Sequence, residues 1–377
     1  MKKIRKNEFF GVIFVICMMI FYSMYQWKEF RDNCMYLGLI TGLIQIIISV
    51  KMQLKTFFLY IVFSVIPIIA FMQSQDTRIL VMLMAMLCGI TLDREHIINV
   101  MFYTKLICVI IGLVSGGFNN VNGLALQGGI LIMLYICKYD TISMFRFLLV
   151  SMLYIAIALY THTGAFIVCM GIGIIWTFLH MRKHQLHFLV NSKMAFVYPI
   201  CLFLNYFFAA GIGEQTMPFI GQWLPDFINS IYLNTAAWLD KITSSRMTLT
   251  KYSWVKFGVS LWGGNVDYSQ LQLGGSGYFN LDSGFMWLIQ GGGILLTIAY
   301  MVFTVLLMRY LIKNKYYHYI IAGIVIALWS INEDVLLGFG TNYLTIFMGK
   351  AVIDFITERK KSKSEYTEKD SLLLVRK

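Results

Sequence analysis

Long apolar runs separated by short polar breaks fill most of this chain of 377 residues. A bilayer core about 30 Å thick needs about 20 apolar residues per helix. Runs of that order lie at 9–26, 35–50, 57–72, 79–92, 97–114, 124–137, 145–160, 164–180, 194–211, 284–308, 317–332 and 335–356, those at 79–92 and 124–137 being short. Backbone groups in lipid must pair within their own segment, which predicts helices. The alternating pattern of a membrane barrel is not visible. The expected fold is an all-α polytopic membrane protein of about 12 transmembrane helices. One long break, 212–283, divides N-terminal helices over 1–211 from C-terminal helices over 284–356, and a basic tail follows over 357–377.

The long break has its own pattern. "MPFIGQWLPDFINSIYLNTAAWLDKI" mixes aromatic and polar residues and reads as an amphipathic helix lying at the interface. Residues 244–262 read as a second helix, ended by Gly263 and Gly264. "QLQLGGSGYFNLDSG" reads as a loop before the next span. No internal repeat is visible, which weighs against an inverted-repeat transporter.

Composition agrees with this picture. The chain is 58% hydrophobic and 13% charged, with a mean hydropathy of +0.69, whereas a soluble globule carries roughly one quarter charged residues. The net charge of +12 would point to nucleic acid in a soluble protein. In a membrane protein, Lys and Arg mark cytoplasmic loops instead. With the N-terminus inside, the inside segments hold roughly three times as many Lys and Arg as the outside ones. Both termini are then cytoplasmic, the break 212–283 is external, and nucleic acid is not an expected partner. "MKKIRKNEFFGVIFVICMMIFY" resembles a signal peptide but has no small-residue cleavage site, so it reads as a retained first helix. Six of the seven cysteines lie in apolar runs, none with metal-ligand spacing.

The external polar residues are the candidates for chemistry. "ITSSRMTLTKYSW" is a polar, cationic stretch in a greasy chain, and its Arg246 suits a phosphate or diphosphate because a guanidinium binds oxyanions bidentately, or else serves as a headgroup anchor or a solvated charge. Lys251 and Lys256 fall five and ten residues on, roughly on one side of a helix. Asp282 stands at the lip of the span 284–308, as a general base or as a helix cap. Glu333 and Asp334 lie at an external junction, either as ionisable groups whose cost at membrane depth points to function or as a short solvated turn. His162, in "LYTHTGAF", is an external histidine able to shuttle a proton, or a polar turn residue. Asn119 and Asn122, in "FNNVNGLALQGG", suit sugar hydroxyls or ordinary turn chemistry. His180, His184 and His187 sit in a basic cytoplasmic loop with no carboxylate or cysteine beside them, so no metal site is expected. Lys105 and Lys350 fall inside spans, near their ends.

These stretches together resemble a family. "SSRMTLTKYSWVKFGVSLWGGNV" is similar to the arginine-bearing external segment of Wzy-type polysaccharide polymerases, within the O-antigen polymerase and ligase superfamily. "YFNLDSGFMWLIQGGGIL", "NNVNGLAL" and "INEDVLL" resemble three further elements in the same order, over about residues 100–350. Where the family often has Ser-Arg, this chain has Thr163-Gly164, so a second phosphate-binding arginine is missing there or supplied elsewhere. The resemblance implies a C-type-glycosyltransferase-like membrane enzyme. It would polymerise undecaprenyl-diphosphate-linked oligosaccharide repeats into exopolysaccharide or capsule on the outer face of the cytoplasmic membrane. It would need no metal, no nucleotide sugar and no other cofactor. Arg246 would offset charge on the diphosphate, with Asp282, Glu333 or His162 as base; Asn119, Asn122, Lys251, Lys256, Trp238 and Tyr252 would contact substrate. Chain-length regulators and a flippase are implied partners, and the tail "TERKKSKSEYTEKD" would meet one, or anionic lipid. Two rival expectations are a ligase, disfavoured by the lack of a histidine in the late external segments, and a lipid-oligosaccharide flippase.

Overall fold

The structure is a computed structural model, and it describes residues 8–24, 26–50, 54–118, 121–182, 191–212, 225–243, 245–270 and 282–358. Among these residues the chain is all helical, without strands. In chain order the helices are α1 (Phe9–Phe21), α2 (Lys28–Val50), α3 (Leu54–Ser74), α4 (Thr77–Gly89), α5 (Arg94–Val114), α6 (Val121–Cys137), α7 (Met144–Thr161), α8 (Gly164–Met181), α9 (Val197–Ala210), α10 (Asp226–Ile242), α11 (Arg246–Phe257), α12 (Gly284–Gly291), α13 (Gly293–Lys313) and α14 (Tyr317–Trp329). A last helix, α15, covers 348–358.

Among the described residues, six helical segments are long and apolar enough to cross a membrane: Lys28–Ser49, Arg94–Val114, Met144–Thr161, Gly164–Met181, Ser192–Ala210 and Gly293–Lys313. Five shorter apolar helices accompany them. Outward faces are themselves apolar: Ile40 and Ile47 on α2, Ile107 and Ile110 on α5, Met152 and Leu159 on α7 and Val168 on α8 are all exposed. So large an exposed apolar surface requires an apolar solvent, and the chain is a membrane protein.

The backbone departs from the expected elements in three places. The run 284–308 is not one helix. It breaks at Gly291 to Gly293, and Gly293 takes φ +80 against Gly263 at φ +84. A side chain on either would collide with backbone of the other strand of chain. The break leaves N–H groups at the start of α13 without intrahelical partners, and the 260–264 segment answers: Ile294 N–H donates to Ser260 O at 3.1 Å and Leu295 N–H to Leu261 O at 3.2 Å. Second, the helix expected over 244–262 stops at Phe257, where Gly258 turns left-handed with φ +63. Third, the run 335–356 begins without a helix. Residues 330–342 are irregular, a 3₁₀ turn follows at Tyr343–Phe347, and 335–349 are buried throughout. Irregular backbone is tolerated at such depth when protein encloses it and meets its polar groups. Thr341 Oγ1 and Asn342 Nδ2 do so, donating to Val335 O at 2.9 Å and Leu336 O at 3.0 Å.

Lys105 is also placed differently from expectation. It lies in the middle of α5, fully buried. Its amine donates to Ser23 Oγ at 3.0 Å, to Gly340 O at 3.2 Å and to Gln127 Oε1. Gln127 in turn donates to Tyr22 O at 3.2 Å. One amine thus ties α1, α5, α6 and the irregular 330–342 segment together.

Candidate functional site

The polar stretch around Arg246 has a local cause. Asp240, near the end of α10, accepts from Thr248 N at 2.8 Å and from Thr248 Oγ1 at 2.7 Å. That satisfies donors in the first turn of α11, which are otherwise unpaired. Ser245 before it is left-handed, φ 64, an uncommon conformation for a residue with a side chain. On the next turns, Ser253 Oγ donates to Gln290 Oε1 at 2.6 Å, and Gln290 Nε2 returns a bond to Ser253 O at 2.9 Å. The Asp240 carboxylate, held by the Thr248 hydroxyl, therefore caps α11, and the Ser253 hydroxyl fastens α11 to α12. Arg246 is left at the N-terminus of the helix, half-buried.

Three residues distant in sequence converge there. Arg246 Nε lies 3.1 Å from Asp282 Oδ2, and Nη1 lies 2.5 Å from Glu333 Oε1. Nη1 also donates to Asn332 O at 2.7 Å. The alternative role for Asp282, capping the next helix, belongs to its neighbour: Ser283 Oγ accepts from Met286 N at 3.3 Å. Glu333 is held by the docking of α12 on the turn after α14, where Gly284 N–H donates to both Ser330 O and Glu333 O, at 3.0 and 3.2 Å. Asn205 of α9, almost fully buried, bridges the two pieces: its Nδ2 donates to Ile331 O at 3.0 Å and its Oδ1 accepts from Ser283 Oγ at 3.1 Å.

Burial pushes the Glu333 carboxyl up to about 7, with the nearby Asp282 and Asp334 charges adding to the rise and Arg246 opposing it. A group that titrates there can take a proton near neutral pH.

A second guanidinium adjoins the first. Arg78, at the start of α4, pairs with Asp334 and, at 2.6 Å, with Asp76. Trp287 of α12 stacks on it, 4.3 Å from ring centroid to Cζ. Burial raises the Asp334 carboxyl despite Arg78. Glu333 and Asp334, adjacent in the chain, thus serve different arginines. Arg78, Asp76 and Asn205 were not singled out from the sequence.

The other expected site residues lie apart from this cluster or do other work. His162 ends α7 in a left-handed conformation, φ 50, and is exposed. It shares this end of the bundle, since Phe166 one turn on packs against Trp329 at 6.1 Å. Asn122 accepts from Thr163 Oγ1 at 3.0 Å, tying two turns together, and Asn119 lies outside the described residues. Lys251 is buried and its amine donates to Ile212 O; burial lowers its pKa. Lys256 is exposed and donates to Gln270 O at 2.5 Å, so the two lysines do not share a face. Trp238 and Tyr252 are exposed. His180 stacks on Tyr317, 4.3 Å between centroids; His184 and His187 lie outside the described residues. All seven cysteines are free and buried.

Two cavities lie near the site, one reaching it through Asn205 and the other bordered by Arg78. One, about 280 Å³, is apolar and lined by Leu202, Phe203, Tyr206, Trp254, Phe285 and Ile289, with Asn205 at its wall. The other, about 330 Å³, is bordered by Arg31, Arg78, Asp76 and Asp334.

Comparison of the chain with protein-family models, with curated proteins and with solved structures returns no match. The functional reading therefore rests on the geometry above.

Proposed function

We propose that the chain is a Wzy-type polymerase that joins lipid-linked oligosaccharide repeats on the outer face of the cytoplasmic membrane. In this reading the shorter apolar helices cross as well, giving about twelve crossings in a C-type-glycosyltransferase-like arrangement with cytoplasmic termini. The supporting observation is the convergence of Arg246, Asp282 and Glu333 from three distant segments at one end of a membrane bundle.

Transfer from an undecaprenyl diphosphate needs a fixed cation where the leaving diphosphate gathers charge, and a base for the accepting hydroxyl. The donor diphosphate competes with Glu333 for Arg246. Glu333, so released, takes the proton as the sugar oxygen attacks the anomeric carbon. The bond from that carbon to the diphosphate oxygen breaks, and its electron pair leaves with the diphosphate beside Arg246. Asp282 keeps Arg246 oriented. The apolar cavity between α9, α11 and α12 receives the first isoprene units, and the exposed aromatics Trp238 and Tyr252 meet lipid and sugar.

The test is lipid-linked glycan profiling of a deletion strain carrying wild type or Arg246→Ala. Single repeats accumulating outside, with long chains restored by wild type alone, are expected. Full-length chains left on the lipid would indicate a ligase, and repeats trapped on the cytoplasmic side a flippase; either outcome would sink the polymerase reading.

A further inference from the structure

The cavity on the far side of the Glu333–Asp334 pair has a composition of its own. Its wall is built by Phe21 and Tyr22 at the end of α1, Arg31 of α2, Asp76 and Arg78 at the start of α4, and Asp334. Each guanidinium already has a carboxylate: Arg31 Nη2 lies 2.9 Å from Asp32 Oδ1, and Arg78 is held by Asp76 and Asp334. The wall therefore presents many donors and acceptors but little net field, which favours a neutral, hydroxyl-rich guest over an anion. Asp334 Oδ1 is buried with no hydrogen-bond donor among the described residues. Arg31 packs over the Phe21 ring at 5.3 Å, so an apolar face stands beside the polar one. A volume of about 330 Å³ is at the small end of ligand sites, which run from about 300 Å³ upward.

The walls are braced from behind. Lys105 and Gln127 hold the backbone of Tyr22 and Gly340 together. Gly340 lies so close that a Cβ there would meet Tyr22 Cβ at 2.2 Å. Such a cavity is shaped before its guest arrives.

We propose that this cavity is a carbohydrate subsite for one neutral sugar ring. Resting on the polymerase reading, it holds the accepting end of the glycan. Asp334 and Arg78 grip hydroxyls of that ring, and the adjacent Glu333 faces the hydroxyl that reacts. Arg246 and the apolar cavity serve the donor on the other side, so one dipeptide separates the two substrates.

The test uses the full chain in nanodiscs, titrated with a panel of neutral methyl hexopyranosides, the matching methyl hexuronides and inorganic pyrophosphate, followed by saturation-transfer NMR. At least one neutral glycoside should bind, about tenfold more weakly in Arg31→Gln and in Thr77→Leu, which adds bulk to the wall, and unchanged in Arg246→Ala. Two cavity variants guard against one that misfolds, and each is checked by its unfolding temperature. The proposal is overturned if no neutral glycoside binds, if both well-folded cavity variants bind it like wild type, or if only the uronides or pyrophosphate respond to these substitutions. The two readings fail separately. Long chains made by Arg246→Ala would remove the polymerase reading and leave the glycoside titration standing. Polymer lost in Arg246→Ala, with glycoside binding indifferent to the cavity variants, would remove the subsite alone.

Discussion

Arg246 and Arg78 stand on either side of one dipeptide, and each holds two carboxylates, yet they are built differently. Arg78 takes one carboxylate from its own turn, Asp76, and carries the Trp287 ring on its face. Arg246 takes both from far along the chain, Asp282 and Glu333, and one of them titrates near neutral pH. A cation fixed by its own turn and a ring is part of a wall. A cation whose partners arrive on separate segments, one able to let go, can exchange them for a substrate. Charge alone does not distinguish the two; the origin and titration of the partners do.

The largest expected effect divides these roles. Arg246→Ala should lower polymer formation at least about 100-fold, the usual loss when a charge-stabilising donor is removed, with a smaller stability cost than Arg78→Ala because the stranded Glu333 can take up a proton. Arg246→Lys should fail as well, because an ammonium cannot span Asp282 and the diphosphate as a planar fork does. Arg78→Ala should act first on stability, by about 3 kcal/mol, since it strands Asp76 and Asp334. Thermal unfolding in nanodiscs separates the two, and an Arg246→Ala that unfolds well below an unaffected Arg78→Ala would reverse the assignment.

Next comes pH. Between about 4.5 and about 7 the folded Glu333 holds a proton that the unfolded chain releases. Its contribution to stability is full below that window and is lost as pH rises through it; Glu333→Gln should flatten this slope in unfolding measured from pH 4 to 8. As a base Glu333 works deprotonated, so the transfer rate should climb with pH through about 7. Asp282→Asn removes a like charge and should move that limb to lower pH, and a limb that stays put would take Glu333 out of the role. Asn205→Ala leaves polar groups of Ser283 and Ile331 without their partner and should cost about 1–3 kcal/mol. Smallest is Tyr252→Ala: it is exposed, so stability should change within about 0.5 kcal/mol, and a loss of activity would therefore report substrate contact.

Much of the helical plan was legible, because each apolar run needs a helix whatever its neighbours. Arg246, Asp282 and Glu333 stood out as ionisable groups in segments expected on one side, and the structure brings them together. Arg78 escaped because "SQDTRIL" reads as an ordinary turn and its partner Asp334 is 256 residues away. The local signal was Asp76 two residues before it. Asn205 was hidden in "CLFLNYFF", where one amide hardly alters hydropathy. The break in 284–308 was hidden because glycine is neutral on any apolar scale, while its positive φ comes from the facing Gly263. His162 looked equivalent to the acids from its side of the membrane alone, but the turn holding it is built by the ends of α7 and α8 rather than by the arginine segments.

Lys105 has a consequence for biogenesis. A lysine at mid-helix opposes insertion by roughly 3 kcal/mol, yet α5 must enter the bilayer long before Gly340, 235 residues downstream, has been synthesised. Until then the amine has at most Ser23 and Gln127 for company. The last hairpin therefore closes a structure that the earlier helices hold open. A nascent chain stopped short of residue 340 exposes a stranded cation within the bilayer, the kind of lesion that membrane proteases and insertion chaperones detect.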